Sequence, residues 1–288
     1  MNTKSPNAFT KKLTVTALSA AVLFTSWSAA PQAHAASNAT PTYEVKFLLD
    51  SSDVLNANGS LQASVNAAFE ITSAPKRQLV EYFDTNAQDL NGEGWNVRFR
   101  KKEDKSDYEL TYKKRFAVQN GQINDALSAA NAAGFDSSDT NYEAEVDWGY
   151  GKQTLSFSNT KKVKASTGLI LPSASKALEL LVKEIPGKLE KTRSNGWGKD
   201  TLKKSRVHGP IEVTKYAGEF NGVEIDIEVL PLLNASGTGT EPLIEISFKT
   251  DDYSAAAANR TELMDELNAE GWLIPADSLK TNTILDRY

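Results

Sequence analysis

Cysteine is absent from all 288 residues. That excludes disulfides, thiolate nucleophiles, cysteine-ligated zinc and lipid attachment through a thiol. Histidine is almost absent too: only His34 and His208 occur, too few for a multi-histidine metal site. A Ser-His-Asp triad would have to use His208, and no Gly-x-Ser-x-Gly elbow supports one. No repeat or low-complexity tract appears, and past residue 27 there is no long apolar run. Chemistry in this chain therefore falls to carboxylates, Lys, Arg and Tyr, and any metal ion used would be a hard one held by oxygen.

The single long apolar stretch, Leu13 to Trp27, follows Lys4, Lys11 and Lys12 and precedes Ala33-His34-Ala35. Positive head, short apolar run and small residues at the cleavage positions are the pattern of a secretory signal peptide; the run is too short and wrongly flanked for a stable span. Residues 1–35 are thus expected to be a signal peptide cut near Ala35. Residues 36–288 are expected to fold as one exported domain, periplasmic or secreted, with no membrane anchor. Losing three lysines and no acid leaves 29 basic against 37 acidic residues, a formal charge of −8. A net acidic domain is a poor nucleic-acid or membrane-surface binder, so no nucleic-acid partner is expected.

Period-two alternation predicts most of the elements. Strands are expected at 43–49, 80–84, 95–101, 108–115, 142–148, 154–158 and 243–249, with two more on either side of Asn221-Gly222, a strong hairpin signal. Residues 51–64 read as loop with one helical turn. Helices are expected at 124–133, at 173–184 behind a serine cap and ended by Pro186-Gly187, and at 254–270 before Gly271. Eight or more strands with three helices make an α+β domain dominated by antiparallel sheet.

The strands carry charges sorted by sign. In 95–101, Arg98 and Arg100 share one face, and Trp95, Val97 and Phe99 the other. In 108–115, Glu109, Thr111, Lys113 and Arg115 oppose Tyr108, Leu110 and Tyr112. Residues 142–148 put Glu143, Glu145 and Asp147 together. A two-residue loop at Asn221-Gly222 pairs Phe220 with Val223, Glu219 with Glu224, Ala217 with Asp226 and Lys215 with Glu228, so Lys215, Glu219, Glu224, Asp226 and Glu228 share a face. One such face alone is an ordinary solvated surface. Like charges repeated strand after strand suit a barrel interior holding an anion and a cation together, because crowding them is costly without compensation.

The ordered set of these motifs resembles the CYTH family, the triphosphate tunnel metalloenzymes. Tyr43-Glu44-Val45-Lys46-Phe47-Leu48 is similar to its Glu-x-Glu-x-Lys strand; YFDT at 82–85 before Arg98-x-Arg100, YELTYKKR, YEAEVD, Lys204-x-Arg206, VEIDIEV and LIEISFK follow in the family's order across residues 43 to 285. The resemblance implies an eight-stranded antiparallel β-barrel (tunnel) with a few flanking helices, Mg²⁺ or Mn²⁺ as cofactor, and hydrolysis of a phosphoanhydride, the partner being a small anionic phosphorylated ligand. It implies that Lys46, Arg98, Arg100, Lys113, Arg115 and Arg206 hold phosphate oxygens, that Glu44, Glu143, Glu145, Glu224, Asp226 and Glu245 hold metal, and that Lys46 and Glu145 are catalytic; Lys215 joins the phosphate ligands on the hairpin register. Two positions depart from the pattern: Thr42 stands where the first Glu belongs, and Ser247 where a second C-terminal Glu is common. Fewer carboxylates imply weaker metal binding or one ion in place of two.

Three functions are therefore open: a metal-dependent triphosphatase, a non-catalytic binder of a phosphate-rich anion, and a carrier barrel for an apolar ligand. The charged faces disfavour the carrier, whose cavity should be apolar. Adenylate cyclisation is weakest, since an exported protein would meet little ATP. Asp84 is expected to cap a turn or act in the site, His208 to sit in a loop or bulge, Trp95, Trp148 and Trp272 to be core or barrel-closing aromatics, and Lys161, Lys162 and Lys164 to form a solvated loop cluster.

Overall fold

Alternation of charged and apolar side chains gives most of the strands two unlike faces, and a sheet that curls shut with its charged face inward forms a polar-lined barrel. A computed structural model describes residues 1–2, 36–278 and 280–288; the expected signal peptide lies almost wholly outside the described residues. Ten strands are present among them: β1 (Thr42–Leu49), β2 (Lys76–Asp84), β3 (Trp95–Lys102), β4 (Asp107–Val118), β5 (Glu143–Trp148), β6 (Gln153–Lys164), β7 (Arg206–Phe220), β8 (Val223–Leu233), β9 (Thr240–Thr250) and the two-residue β10 (Leu273–Ile274). Hydrogen bonding runs β1-β5-β6-β4-β3-β2-β7-β8-β9 and returns to β1, with β10 attached to the end of β1.

The closed ring thus has nine strands, not eight, and it is mixed, not all-antiparallel. Every pairing in it is antiparallel except β1 with β5. The reason is parity: an odd number of strands cannot alternate direction all the way round, so one neighbouring pair must run parallel. The β7–β8 hairpin has the register expected from its Asn-Gly turn, Phe220 opposite Val223 and Lys215 opposite Glu228. Lys161, Lys162 and Lys164 belong to β6, which runs well past its expected end.

The apolar faces point outward and are roofed by helices. On one side Trp95, Val97, Phe99, Leu110, Tyr112 and Phe157 pack under α4 (Ile123–Ala132), α5 (Ala174–Lys183), α6 (Gly187–Glu190) and α7 (Trp197–Lys203). On the other, Val45, Phe47, Ile225, Ile227, Ile246 and Phe248 pack against α1 (Ser51–Val54), α2 (Ala63–Ala68) and α8 (Tyr253–Ala269). Each fully buried Leu, Ile or Phe contributes about 1.5–3 kcal/mol, and these two cores lie outside the barrel wall, while a third apolar cluster, around Val80, Ile211 and Leu230, sits on the inward faces of β2, β7 and β8. Trp95 and Trp272 are core residues, while Trp148 stacks on Tyr253 with ring centroids 5.4 Å apart.

Two short pieces complete the frame. In the turn α3 (Asp89–Gly92), Asp84 accepts backbone N–H bonds from Thr85, Leu90 and Asn91 at 2.7, 3.0 and 2.9 Å; it is a capping residue. A C-terminal helix, α9 (Lys280–Arg287), which the periodicity did not outline, packs Ile284 and Leu285 against Val80, Tyr82, Ile211, Val213, Leu230 and Leu232. His208 lies in β7 opposite Tyr82, beside the register irregularity of β2, and is fully buried.

Candidate functional site: a charged tunnel

Because most of the apolar residues of these strands face out, their neighbours face in, and the barrel encloses a cavity of about 490 Å³. Nine cationic and seven acidic side chains line it. The basic side is β3 and β4, with Arg98, Arg100 and Lys102 beside Lys113 and Arg115. Next around the ring, β6 contributes the uncharged Ser158 and Thr160. The acidic side follows on β5 and β1, where the parallel register sets Glu44 opposite Asp147 and Thr42 opposite Glu145. The remaining wall carries Glu245, Ser247 and Lys249 of β9, Asp226 and Glu228 of β8, and Lys215 of β7.

Glu44, Glu145 and Asp147 form a cluster whose carboxylate oxygens lie within 4.8 Å of one another. Three lysines interleave with it. Lys46 Nζ is 2.7 Å from both Glu44 and Asp147, Lys113 is 3.3 Å from Glu145 and 3.4 Å from Asp147, and Lys249 touches Glu44 at 3.5 Å and also pairs with Glu145. Burial pushes the Glu44 and Asp147 carboxyls up, but the lysines outweigh it. Glu44 ends below its ordinary value, through Lys46 and Lys249, and Asp147 well below, through Lys113 and Lys46. Lys46 is held well above the usual lysine range despite its burial, chiefly by Asp147 and Glu44.

Elsewhere the pairing is uneven. Glu109 joins Arg100 Nε at 2.7 Å and Lys102 at 3.0 Å, and these cations outweigh its burial and bring it to about 2. Lys215 pairs with Asp226 at 2.7 Å. Arg98 and Arg115 have no carboxylate partner among the described residues. Arg98 reaches only Thr111 Oγ1, at 3.5 Å, and its buried Nε has no acceptor; Arg115 donates to Thr281 Oγ1 at 3.3 Å.

The structure brings most of the sequence-derived site residues into this one cavity: Lys46, Arg98, Arg100, Lys113, Arg115, Lys215, Glu44, Glu143, Glu145, Asp226 and Glu245 all line it. Two do not belong. Glu224 is exposed at the tip of the β7–β8 hairpin, past the last residues that β2 and β9 pair with. Arg206 begins β7 opposite Asp84 and turns outward, its Nε donating to Asn86 Oδ1 at 2.6 Å. Glu143 lines the cavity without joining the carboxylate cluster. Sequence reasoning passed over Lys102, Asp147 and Lys249 as ligands, although each continues a row at period two. It missed Lys280 and Thr281, which arrive from α9 with no strand pattern to announce them.

A hard divalent ion fits the Glu44–Glu145–Asp147 cluster: three carboxylates converge, all oxygen donors, on two hydrogen-bonded strands. Fold and site together define a closed mixed β-barrel whose tunnel is lined with ion pairs and with two guanidinium groups that touch no carboxylate among the described residues. No family model and no curated protein matches the sequence. Among solved structures the chain is similar to a Hippeastrum protein described as a candidate adenylyl cyclase with a dominant triphosphatase activity, at 15% identity and TM-score 0.45, covering 85% of this chain and 99% of that one. It is also similar to candidate adenylate cyclases from Bacillus halodurans, at 12% identity, 83% and 95% coverage and TM-score 0.45, and from Vibrio parahaemolyticus, at 11%, 86% and 99% and TM-score 0.41.

Proposed function

We propose that this protein binds a short phosphoanhydride, of the tripolyphosphate or nucleoside-triphosphate type, in its tunnel and hydrolyses it with Mg²⁺ or Mn²⁺. The observation that carries the reading is the pair Arg98 and Arg115. Guanidinium groups that face the cavity with no carboxylate in contact keep their N–H groups free for phosphate oxygens, and their planar forks match that geometry. Lys46, Lys113 and Lys249 have a second use in this scheme. They neutralise the carboxylates and turn to the anion when a cation takes the carboxylates.

When bound at Glu44, Glu145 and Asp147, the ion supplies charge neutralisation and polarises phosphate oxygen and water. The chain's own part is positioning: Arg98, Arg100 and Arg115 orient the anion, Lys113 and Lys46 hold charge near the acidic wall, and Glu145 aligns the attacking water. The wall itself keeps bulk solvent away, so these charges act in a medium of lowered polarity. Export through the N-terminal segment is part of the proposal, checked by sequencing the N-terminus of the protein recovered outside the cytoplasm; an intact Met1 there would refute cleavage near Ala35.

A second reading, a binder without turnover, is favoured by one observation: every carboxylate of the cluster already has a lysine against it. One assay separates the two. Phosphate release from tripolyphosphate should require Mn²⁺ or Mg²⁺, fall by about a hundredfold or more in Glu145→Ala, and fall by roughly 10²–10³ in Arg98→Met. No release with any divalent ion, together with a raised melting temperature on adding tripolyphosphate, would establish the binder. Neither release nor a thermal shift would remove both.

A further inference from the structure

Two tunnel carboxylates stand apart from the Glu44 cluster. Glu228 and Glu245 are directly opposite each other on β8 and β9 and both face the cavity, with Glu245 only 5% exposed. Like charges at a directly opposed cross-strand position repel, and burial adds to the cost. Such a pair needs a cation between its members.

The chain supplies that cation from a separate element. Lys280, first residue of α9, places Nζ 3.2 Å from Glu228 Oε2 and 3.1 Å from Glu245 Oε1. The outer oxygens are also taken: Gln78 Nε2 donates to Glu228 Oε1 at 3.1 Å, and Ser278 Oγ donates to Glu245 Oε2 at 2.8 Å. All four carboxylate oxygens are therefore satisfied by protein groups. Electrostatics agree with the geometry: burial pushes Glu228 up, but Lys280 first, with Lys215 and Arg98, holds it down at about 2, while Glu245 and Glu228 keep Lys280 above the usual lysine range.

The ammonium is also fixed in place. Ile284 and Leu285 anchor α9 in an apolar cluster, Arg287 Nη1 donates to the Leu233 carbonyl at 2.7 Å, and Tyr288 Oη accepts from Leu233 N at 2.9 Å. Lys249, which faces the Glu44 cluster, has a side chain 61% exposed and can leave; that of Lys280 is 23% exposed, on an anchored helix.

We infer that Lys280 is a built-in counter-ion that occupies the Glu228–Glu245 pair in place of a second divalent cation, so that the tunnel takes one such ion, at Glu44, Glu145 and Asp147. The inference rests on the reading that the tunnel takes a divalent ion at all. An ammonium on the chain cannot exchange with the medium, so this half of the tunnel keeps its charge at any divalent-ion concentration. Thr42 and Ser247, the two missing acids, fit the same arrangement: with one ion to hold, fewer carboxylates suffice.

The test counts bound Mn²⁺ on the full folded domain by calorimetry and by the loss of the free-ion EPR signal. Wild type should bind one Mn²⁺ and Lys280→Met two, with the added ion lost again in Lys280→Met/Glu245→Gln. Without Mn²⁺, Lys280→Met should melt several degrees lower, and Mn²⁺ should raise its melting temperature by more than it raises that of the wild type. Glu228→Gln/Glu245→Gln, with Lys280 intact, should still bind one; this variant decides the matter even where Lys280→Met does not fold. Two ions on wild type, no gain in Lys280→Met, or loss of the only ion in the double glutamine variant would each overturn the inference. If wild type binds none while Lys280→Met binds one, the counter-ion role stands and the metal-dependent function falls. If neither binds any, both fall.

Discussion

Glu81 shows at a single residue how far charge placement controls this fold. Its side chain is buried, one carboxylate oxygen lacks a partner, and burial pushes its carboxyl up to about 7. A folded value raised above the unfolded one means that the native state holds a proton the unfolded chain has released. Stability is therefore lost as pH rises from about 4.5 to 7, and the loss is complete above that range. At about 1.4 kcal/mol per pH unit the full cost is roughly 3 kcal/mol. Glu81→Gln should stabilise the protein by about 1–3 kcal/mol at pH 8 and leave it unchanged at pH 4, measured by urea denaturation. His208 slopes the other way: burial lowers its folded value, so stability falls as pH drops below about 6.5. The difference between mutant and wild-type profiles isolates Glu81 from it. Equal stabilities at pH 8 would mean that the carboxylate finds a partner when charged.

Among the elements, the short turn after β2 depends on one side chain. Asp84 satisfies three backbone N–H groups that would otherwise be buried unpaired, and it is itself 2% exposed. Asp84→Ala should cost about 2–4 kcal/mol, visible as a lower urea midpoint with unchanged slope, and Asp84→Asn should recover part of it. A neutral Asp84→Ala would show the turn to be held by its packing alone. The strands were legible because each has unlike faces: rows such as Arg98-x-Arg100 and Glu145-x-Asp147 fix both the strand and the side that points inward. The hairpin register followed from two residues, Asn221-Gly222. Less could be read where pairing is not local. Nothing in the sequence of β1 says that it lies between β5 and β9, so the closure of all nine strands into one ring, and its parallel seam, were invisible. Nor could the sequence show that the β7–β8 hairpin outruns its neighbours, which takes Glu224 out of the cavity. The helix α9 stayed hidden because Ile284 and Leu285 are its only apolar residues, too few to show a period, and its cation matters only through tertiary placement.

For the whole molecule, sign and location of charge diverge. Without residues 1–35 the chain has an excess of eight acids, yet its tunnel holds nine cations against seven acids. The charge balance outside the tunnel is therefore acidic, and under the proposed function only a polyanion small enough to enter would meet the basic interior. Charges enclosed by a protein wall are screened far less than exposed ones. Tripolyphosphate affinity should accordingly fall by no more than about tenfold between 0.1 and 0.5 M NaCl, followed by calorimetry. A loss of a hundredfold or more would put the anion on the outer surface.

The seam between β1 and β5 has a consequence for how the chain comes together. The first strand has both ring neighbours far downstream, at residues 143–148 and 240–250. During synthesis the ribosome must emit nearly every later strand before the wall can shut around its own beginning. Contacts of such long sequence separation form slowly, so the wall shuts only after β9 has been made, and the seam at β1 is the last part of the ring to close.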